Sequence, residues 1–240
     1  MNEPIQGGQS CDESAAMSYK LLRNIIGFLG MGLPVIIVVG AYLIDGDGFL
    51  DSISAYYHTS MGDVLVGILF ITAAFMFTYN PEDYPDGYID NIAGYVAGIC
   101  AIGVAVFPAD VGKASCDKVV IGPSFEFIGL TIEINTLHTI FAVGFFVILT
   151  IFSLFLFTKS KEKPGIVWTP KKKRNIIYIV CGIIMAGVLV VIPIYYFLRC
   201  RYPGLQVLNL VFWLESIALL AFGFSWLTKG EFFFPDKNEV

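Results

Sequence analysis

Charged residues occur in only a few stretches of this chain, and the gaps between those stretches constrain the fold more than any motif does. Each gap is close to the ~20 residues that an α-helix needs to cross the hydrocarbon core of a bilayer. The pattern predicts an all-α polytopic membrane protein with a bundle of six transmembrane helices. The six windows are residues 24–44, 64–81, 91–109, 134–158, 175–198 and 202–228, and the single charge within them is Glu215.

Little of the chain lies outside these windows. Hydrophobic residues make up 56% of the sequence and charged residues 15%, whereas soluble domains have ~25% charged residues. The longest polar stretches, 1–23 and 110–133, are too short to build a core of their own. A soluble enzyme, a nucleic-acid-binding domain and a disulfide-stabilised secreted module are therefore excluded. We expect a disordered cytoplasmic tail at 1–19, a six-span membrane domain at 20–230 and a second cytoplasmic tail at 231–240.

Basic residues are unevenly divided between the two sides of the predicted bundle. If the N-terminus is inside, eleven of the 15 Lys and Arg residues are inside, and the outer side holds Lys113, Lys118, Arg199 and Arg201. Both termini are therefore expected in the cytoplasm, because basic loops stay on that side of the membrane. The membrane is a bacterial inner membrane or another cellular membrane. Lipids are the expected partners, nucleic acid is not, and oligomerisation stays open.

Small residues in the third window predict close helix packing. Gly94-x-x-x-Gly98 gives this span a face that a neighbouring helix can approach closely. We therefore expect the third helix to be central in the bundle.

The outer segment 117–135 has a period different from that of the spans. Apolar and polar side chains alternate along residues 130–134, as they do in a β-strand. With a turn at Gly122-Pro123-Ser124, this pattern predicts a short extracytoplasmic β-hairpin. An irregular interfacial loop is the alternative.

Two of the five cysteines fall in outer loops. Cys116 follows span three and Cys200 follows span five. An oxidising compartment would allow them to pair, so a Cys116–Cys200 disulfide is predicted. Cys100 and Cys181 lie inside spans and are interpreted as small buried apolar residues.

Candidate ligand-binding residues occur at the outer ends of the predicted spans. Ser54, His58 and Asp63 lie around the start of span two, and His138 opens span four. Glu215 lies about eight residues from the outer end of span six, ~12 Å along the helix. A carboxylate in a membrane is costly and usually faces the bundle interior or a water-filled cavity. The alternative for each residue is an interfacial anchor or a hydrogen-bonded structural group.

Zinc is a possible cofactor. Two imidazoles and a carboxylate, here His58, His138 and Asp63, form a ligand set that zinc accepts, and the metal would acidify a bound water. The chain lacks the i, i+4 histidine pair of a helical zinc motif, because position 142 is Ala and position 54 is Ser.

Two arginines lie where span five ends. Arg199 and Arg201 are close to Tyr195, Tyr196 and Tyr202. Such a cluster can hold a lipid phosphate through bidentate hydrogen bonds. The alternative is an interfacial anchor without a specific ligand.

The order of several short motifs resembles that of a known family. Ser52-Ile53-Ser54 follows span one, His138 opens span four ahead of Phe141, and Trp213-Leu214-Glu215 lies in span six. In this order the chain resembles the DRAM/Frag/Sfk-type six-span family, and it is also similar to uncharacterised bacterial six-span proteins. The resemblance covers most of residues 20–230. It implies a role in lipid remodelling, membrane asymmetry or autophagy without an established catalytic mechanism.

A second resemblance rests on one motif. Ser54-x-x-x-His58 is similar to the first motif of the CREST-type membrane hydrolases, which include alkaline ceramidases and bind zinc through three histidines. This chain has two histidines. An enzyme of that type would need a substitute ligand here, such as Asp63 or Glu215.

Three functions are compatible with these residues. The first is a non-enzymatic membrane protein that binds a lipid head group or small polar ligand in an outward-facing cavity. The second is a metal-dependent lipid hydrolase that uses the same residues. The third is a proton- or ion-coupled transporter or channel centred on Glu215.

Overall fold

The computed structural model describes residues 7–79, 87–110, 124–127, 130–159, 169–199, 201–202 and 209–233. Most of these residues belong to six α-helices: α1 (Gly7–Ile44), α2 (Gly62–Phe77), α3 (Gly87–Val106), α4 (Ile134–Ile151), α5 (Thr169–Arg199) and α6 (Leu210–Lys229). Three kinds of shorter element accompany them: a 3₁₀ helix (Ser54–His58), a π-helical turn that extends α4 (Phe152–Leu156), and the strands β1 (Ser124–Phe127) and β2 (Leu130–Glu133).

Five of the helices are long and apolar enough to cross a membrane. They are α1 from Tyr19 onward, α3, α4 with its π-helical turn, α5 from Lys171 onward, and α6. The protein is therefore an all-α, multi-pass integral membrane protein. Helix α2 is apolar but has only 16 residues, which span ~24 Å, short of the roughly 30 Å of a hydrocarbon core.

The six helices form a closed ring in chain order. Each helix packs on its neighbours in sequence, and α6 returns to pack on α1. The α1–α2 connection, residues 45–61, lies at one end of the ring, which is called the loop end below. The opposite end, where α6 finishes, is called the terminal end. The charge pattern predicts that the loop end is the outer one.

An aromatic cluster fills the half of the core nearer the terminal end. Trp226 is fully buried there. Its ring centroid is 5.1 Å from that of Phe157, 5.3 Å from that of Tyr79 and 5.6 Å from that of Phe152. The segment just after α2, the π-helical turn with the residue that follows it, and α6 are therefore joined through one packed group of rings.

The α1–α2 connection is itself part of the core at the loop end. Ile53, Tyr56 and Met61 are buried against Ile37 of α1 and Phe212 of α6. The Tyr56 hydroxyl donates to the Gly48 carbonyl and accepts from the Leu50 amide, each at 3.2 Å. Burial raises the pKa of the Tyr56 phenol, which keeps it protonated and able to donate. The connection is therefore a packed element rather than a surface loop.

The small residues of α3 allow the close approach that their spacing predicts. A Cβ atom at Gly94 would lie 2.7 Å from the Met76 carbonyl oxygen, and one at Gly98 would lie 2.6 Å from the Phe77 ring. Both contacts are with α2. Helix α3 packs between α2 and α4 in the ring, and its outer face, which carries Ile92, Tyr95 and Ile99, is exposed. It is therefore one member of the ring, and the prediction that it is central in the bundle is wrong.

Two helix starts differ from the sequence prediction. Helix α1 begins at Gly7, within the stretch 1–19 for which the sequence predicts a disordered tail. Extending an existing helix costs far less than nucleating one. Helix α6 begins at Leu210, eight residues after the start of the window at 202. Pro203 and Gly204 lie in that stretch, and both residue types disfavour a helix.

The two strands pair antiparallel, with Ser124 opposite Glu133 and Phe127 opposite Leu130. Ser124 is therefore a strand residue, and the prediction that it forms the turn with Gly122 and Pro123 is wrong. Gly122 and Pro123 precede the first strand in the sequence and lie outside the described residues.

Candidate functional site

Glu215 connects α6 to the α1–α2 connection. It is the sixth residue of α6, ~8 Å along the axis from Leu210, which is nearer the helix start than the sequence prediction placed it. Its Oε2 accepts a hydrogen bond from the Ile53 backbone N–H at 2.7 Å. Ile53 precedes the 3₁₀ helix, where an N–H has no partner within the helix. Among the described residues this carboxyl group makes no ion pair with a basic side chain.

His138 connects α4 to both α3 and the α1–α2 connection. Its side chain is 7% exposed. Nδ1 lies 2.7 Å from the Phe107 carbonyl oxygen and Nε2 lies 3.0 Å from Ser54 Oγ. Because a carbonyl oxygen only accepts, Nδ1 carries the proton, and Nε2 of the neutral ring accepts from the Ser54 hydroxyl. The two contacts define both the tautomer and the orientation of the imidazole.

Ser54, His138 and Glu215 line one cavity at the loop end, with a volume of about 50 Å³. A cavity of that size has room for ordered water or for a small polar group. The rest of its lining is mostly apolar and aromatic and comes from α1, α2, α3, α4 and α6. It includes Leu33, Leu65, Leu69, Val104, Phe145, Phe146 and Leu219. The cavity thus combines the polar groups of Ser54, Tyr57, His138 and Glu215 with hydrocarbon walls.

His58 and Asp63 lie outside this cavity. His58 is exposed, and its Nε2 is 2.8 Å from the Ala109 carbonyl oxygen. Asp63 is exposed in the first turn of α2, where a carboxylate interacts favourably with the helix dipole. Lying at the same end of a bundle did not bring these side chains to the same point.

The predicted zinc ligand set of His58, His138 and Asp63 is therefore not assembled. Within the ranges that the structure describes, no group of three or more His, Cys, Asp or Glu side chains is arranged to hold a metal ion. Both ring nitrogens of His138 already contact Phe107 and Ser54. These residues do not fit a zinc site. The hypothesis of a metal-dependent hydrolase therefore has no support from the ligand set on which it depended.

The two arginines at the end of α5 differ in their surroundings. The Arg199 guanidinium carbon lies 4.2 Å from the centroid of the Tyr196 ring, a cation–π contact. Arg201 is exposed. This arrangement is typical of residues at a membrane interface, and a lipid phosphate at this position stays a prediction.

The structure describes the two cysteines within the spans but not the two in the outer loops. Cys100 and Cys181 are buried and free in α3 and α5, as expected. Cys116 and Cys200 lie outside the described residues, so their disulfide stays a prediction.

Several contacts of the site gave no sequence signal. The Ile53 amide and the Phe107 carbonyl are backbone groups, which any residue type would supply. Asn209, in the left-handed conformation at φ 43° just before α6, donates from Nδ2 to the Phe49 carbonyl oxygen at 2.7 Å. Asn is one of the few residue types that adopts this conformation readily, and that preference was the available clue.

An ion pair at the terminal end was also not predicted. Asp90 in α3 lies 3.2 Å from Lys159 Nζ, and its side chain is 3% exposed while that of Lys159 is 26% exposed. A buried carboxylate needs a partner of this kind.

No protein-family model, no curated protein and no solved structure matches this chain. The resemblances described above therefore stay predictions. The site has to be interpreted from its own geometry.

Proposed function

We propose that the protein binds an amphiphilic ligand in the cavity at the loop end. The ligand has a small head that carries an amine or hydroxyl group, joined to a hydrocarbon chain. One observation supports this proposal above the others: Ser54, His138 and Glu215 meet in a cavity whose remaining walls are mostly apolar.

The carboxyl group of Glu215 defines the chemistry of the head. It accepts one hydrogen bond, from Ile53, and no basic side chain among the described residues pairs with it. A carboxylate in a membrane protein is costly unless a cation or hydrogen-bond donors compensate it. An ammonium or hydroxyl group on the ligand would supply that compensation.

The cavity volume favours a small head. Its space of about 50 Å³ suits an amino alcohol or a primary amine, whose N–H or O–H groups can reach the polar side chains. The leucine and phenylalanine side chains around the polar groups would contact the first carbons of the chain. Long-chain amines and amino alcohols are therefore the favoured ligand class.

Replacement of Glu215 by Gln tests this proposal. Gln keeps a carbonyl oxygen that can accept from Ile53 but removes the negative charge. We expect dodecylamine to raise the melting temperature of the wild-type protein in dodecyl maltoside, because a ligand at 100 times its Kd stabilises by about 2.7 kcal/mol. We expect little or no such increase in Glu215→Gln. Melting is followed by tryptophan fluorescence.

The exposed carboxylate Asp63 provides a matched control. Asp63→Asn removes the same charge at the same end of the bundle but outside the cavity, so its response to dodecylamine should equal that of the wild type. Dodecyltrimethylammonium has the same charge in a larger head without N–H donors, and it should stabilise less. Equal responses from Glu215→Gln and the wild type would contradict the proposal.

We further propose that α2 is the sixth span and that both termini are cytoplasmic. Between Asp63 and the end of α2 there is no charged residue, and the helix occupies a place in the ring between two membrane-length helices. A six-span arrangement is also what the resemblance to the DRAM/Frag/Sfk-type family implies. In this orientation β1 and β2 are extracytoplasmic.

Reporter fusions test the number of spans. Fluorescent-protein and alkaline-phosphatase fusions at the N- and C-termini should both report a cytoplasmic location. Five spans would place the two termini on opposite sides and would contradict the proposed topology. An extracytoplasmic location of both termini would instead contradict the orientation inferred from the basic residues.

A further inference from the structure

We infer that Ser54 and His138 form a nucleophile–base pair that hydrolyses an acyl ester or amide of the amphiphile in the cavity. This inference rests on the proposed function, because the same cavity would hold the substrate. It differs from the metal-dependent hydrolase hypothesis, since the nucleophile is a side chain and no metal ion takes part.

The hydrogen-bond pattern of His138 is that of a catalytic base. Its Nε2 lies 3.0 Å from Ser54 Oγ, and its Nδ1–H points to the Phe107 carbonyl oxygen at 2.7 Å. A nucleophile within hydrogen-bond distance of a base that a third group orients is the arrangement common to serine hydrolases on unrelated folds. Here a backbone carbonyl takes the orienting role that a carboxylate has in the usual triad.

Ser54 differs from the hydroxyl residues within the helices. Thr139, Thr150 and Thr158 each donate to a backbone carbonyl four residues earlier in their own helix, which satisfies the hydroxyl locally. Ser54 instead contacts an imidazole 84 residues away in sequence. Ser153 also bonds to other elements, through the Tyr178 carbonyl oxygen and Ser225 Oγ, but among the described residues only the Ser54 hydroxyl contacts an imidazole.

The other polar groups of the cavity have roles in the same reaction. Glu215 would hold the amine or hydroxyl of the substrate head and so place the adjacent acyl carbonyl near Ser54. Tyr57 also lines the cavity, and none of the hydrogen bonds among the described residues involves its phenol group. Its O–H is therefore available to stabilise the oxyanion that forms on the acyl carbonyl.

The reaction would proceed in two steps with balanced proton transfer. Ser54 Oγ attacks the acyl carbon while its proton moves to His138 Nε2. The bond from the acyl carbon to the head oxygen or nitrogen breaks, and the departing group takes that proton. In the second step His138 Nε2 removes a proton from water and the resulting hydroxide attacks the acyl carbon of the acyl-serine. The bond from that carbon to Ser54 Oγ breaks, Nε2 returns the proton to Oγ, and a carboxylic acid is released.

Phosphorylation of Ser54 by diisopropyl fluorophosphate tests the inference. This small reagent forms an Oγ–phosphorus bond with an activated serine and releases fluoride. We expect the purified wild-type protein in dodecyl maltoside to gain one diisopropylphosphoryl group, assigned to Ser54 by peptide mass spectrometry. Ser54→Ala should gain none, and His138→Gln should react ~100-fold more slowly because it lacks the base. Ser52→Ala, two residues away and outside the cavity lining, should react like the wild type.

The outcomes separate this inference from the proposed ligand binding. Absence of label on wild-type Ser54 overturns the inference, as does an equal rate in a folded His138→Gln variant. If dodecylamine still stabilises the unlabelled wild-type protein, ligand binding stands and only the hydrolase activity falls. Labelling at Ser54 without stabilisation by the amine supports the nucleophile–base pair and overturns the proposed ligand class. The wild-type measurement decides the case even if a variant does not fold.

Discussion

Replacement of Gly223 by leucine is expected to prevent the ring of helices from closing in a stable form. A Cβ atom at Gly223 would lie 2.5 Å from the Gly27 carbonyl oxygen and 3.0 Å from the Met31 amide nitrogen. Both are backbone atoms of α1, which a change of rotamer cannot move. Overpacking of a well-packed core typically costs ~1–3 kcal/mol, and a clash with backbone should reach the upper end of that range. We expect aggregation on size-exclusion chromatography or a melting temperature lowered by several degrees.

Gly187 of α5 is the matched control. A Cβ at this position would have no atom within 4 Å, so leucine fits there without displacing a neighbour. Gly187→Leu should leave the melting temperature unchanged or raise it slightly, because leucine favours a helix over glycine by ~0.8 kcal/mol. If the two leucine variants melted alike, the close contact between α1 and α6 would not be a determinant of stability.

Replacement of Lys159 by methionine is expected to destabilise the protein by ~3 kcal/mol. Methionine keeps most of the side-chain length but leaves the Asp90 carboxylate, which is 3% exposed, without the Lys159 cation. Removing one partner of a buried ion pair costs about 3–5 kcal/mol, because the remaining charge is not compensated. Asp90 lies in the first turn of α3, where the helix dipole offsets part of that cost, so the lower value is expected. Denaturant unfolding in mixed micelles measures the difference.

Replacement of Asp90 should destabilise the protein less than replacement of Lys159. Asp90→Asn leaves Lys159, whose side chain is 26% exposed, able to reach water, so the expected loss is about 1 kcal/mol. The double variant should recover much of the stability that Lys159→Met loses, because neither member of the pair is then charged. A loss in Lys159→Met no larger than that in Asp90→Asn would contradict the argument.

The helices were predictable because a membrane-spanning helix requires an apolar sequence. A span must be apolar over ~20 residues, and the absence of charge located α3, α4 and α5 closely. The start of α6 was not located, since an apolar stretch ahead of a helix looks the same as the helix itself when only charge is considered. Glu215 was therefore placed too deep. Its true position near Leu210 is what allows its carboxyl group to reach Ile53.

The composition of the candidate site was only partly predictable. Topology placed Ser54, His58, His138 and Asp63 at one end of the bundle, but it did not determine the direction of each side chain. His138 and Ser54 converge because α4 and the α1–α2 connection both contact the segment just after α3, through the Phe107 and Ala109 carbonyl oxygens. His58 points to Ala109 instead. The direction of a side chain depends on packing between elements that are distant in sequence. A local sequence pattern therefore does not predict it.

The closed ring has a consequence for how the protein is made. Helices enter the membrane in order during translation, and α6, the last of them, carries Glu215 and also packs on α1, the first. A growing chain that has reached α5 already contains Ser54 and His138, but the α1–α2 connection still lacks the carboxyl group that receives the Ile53 amide. A chain truncated before α6 would therefore have an incomplete site. The proposed ligand could bind only after α6 has been synthesised.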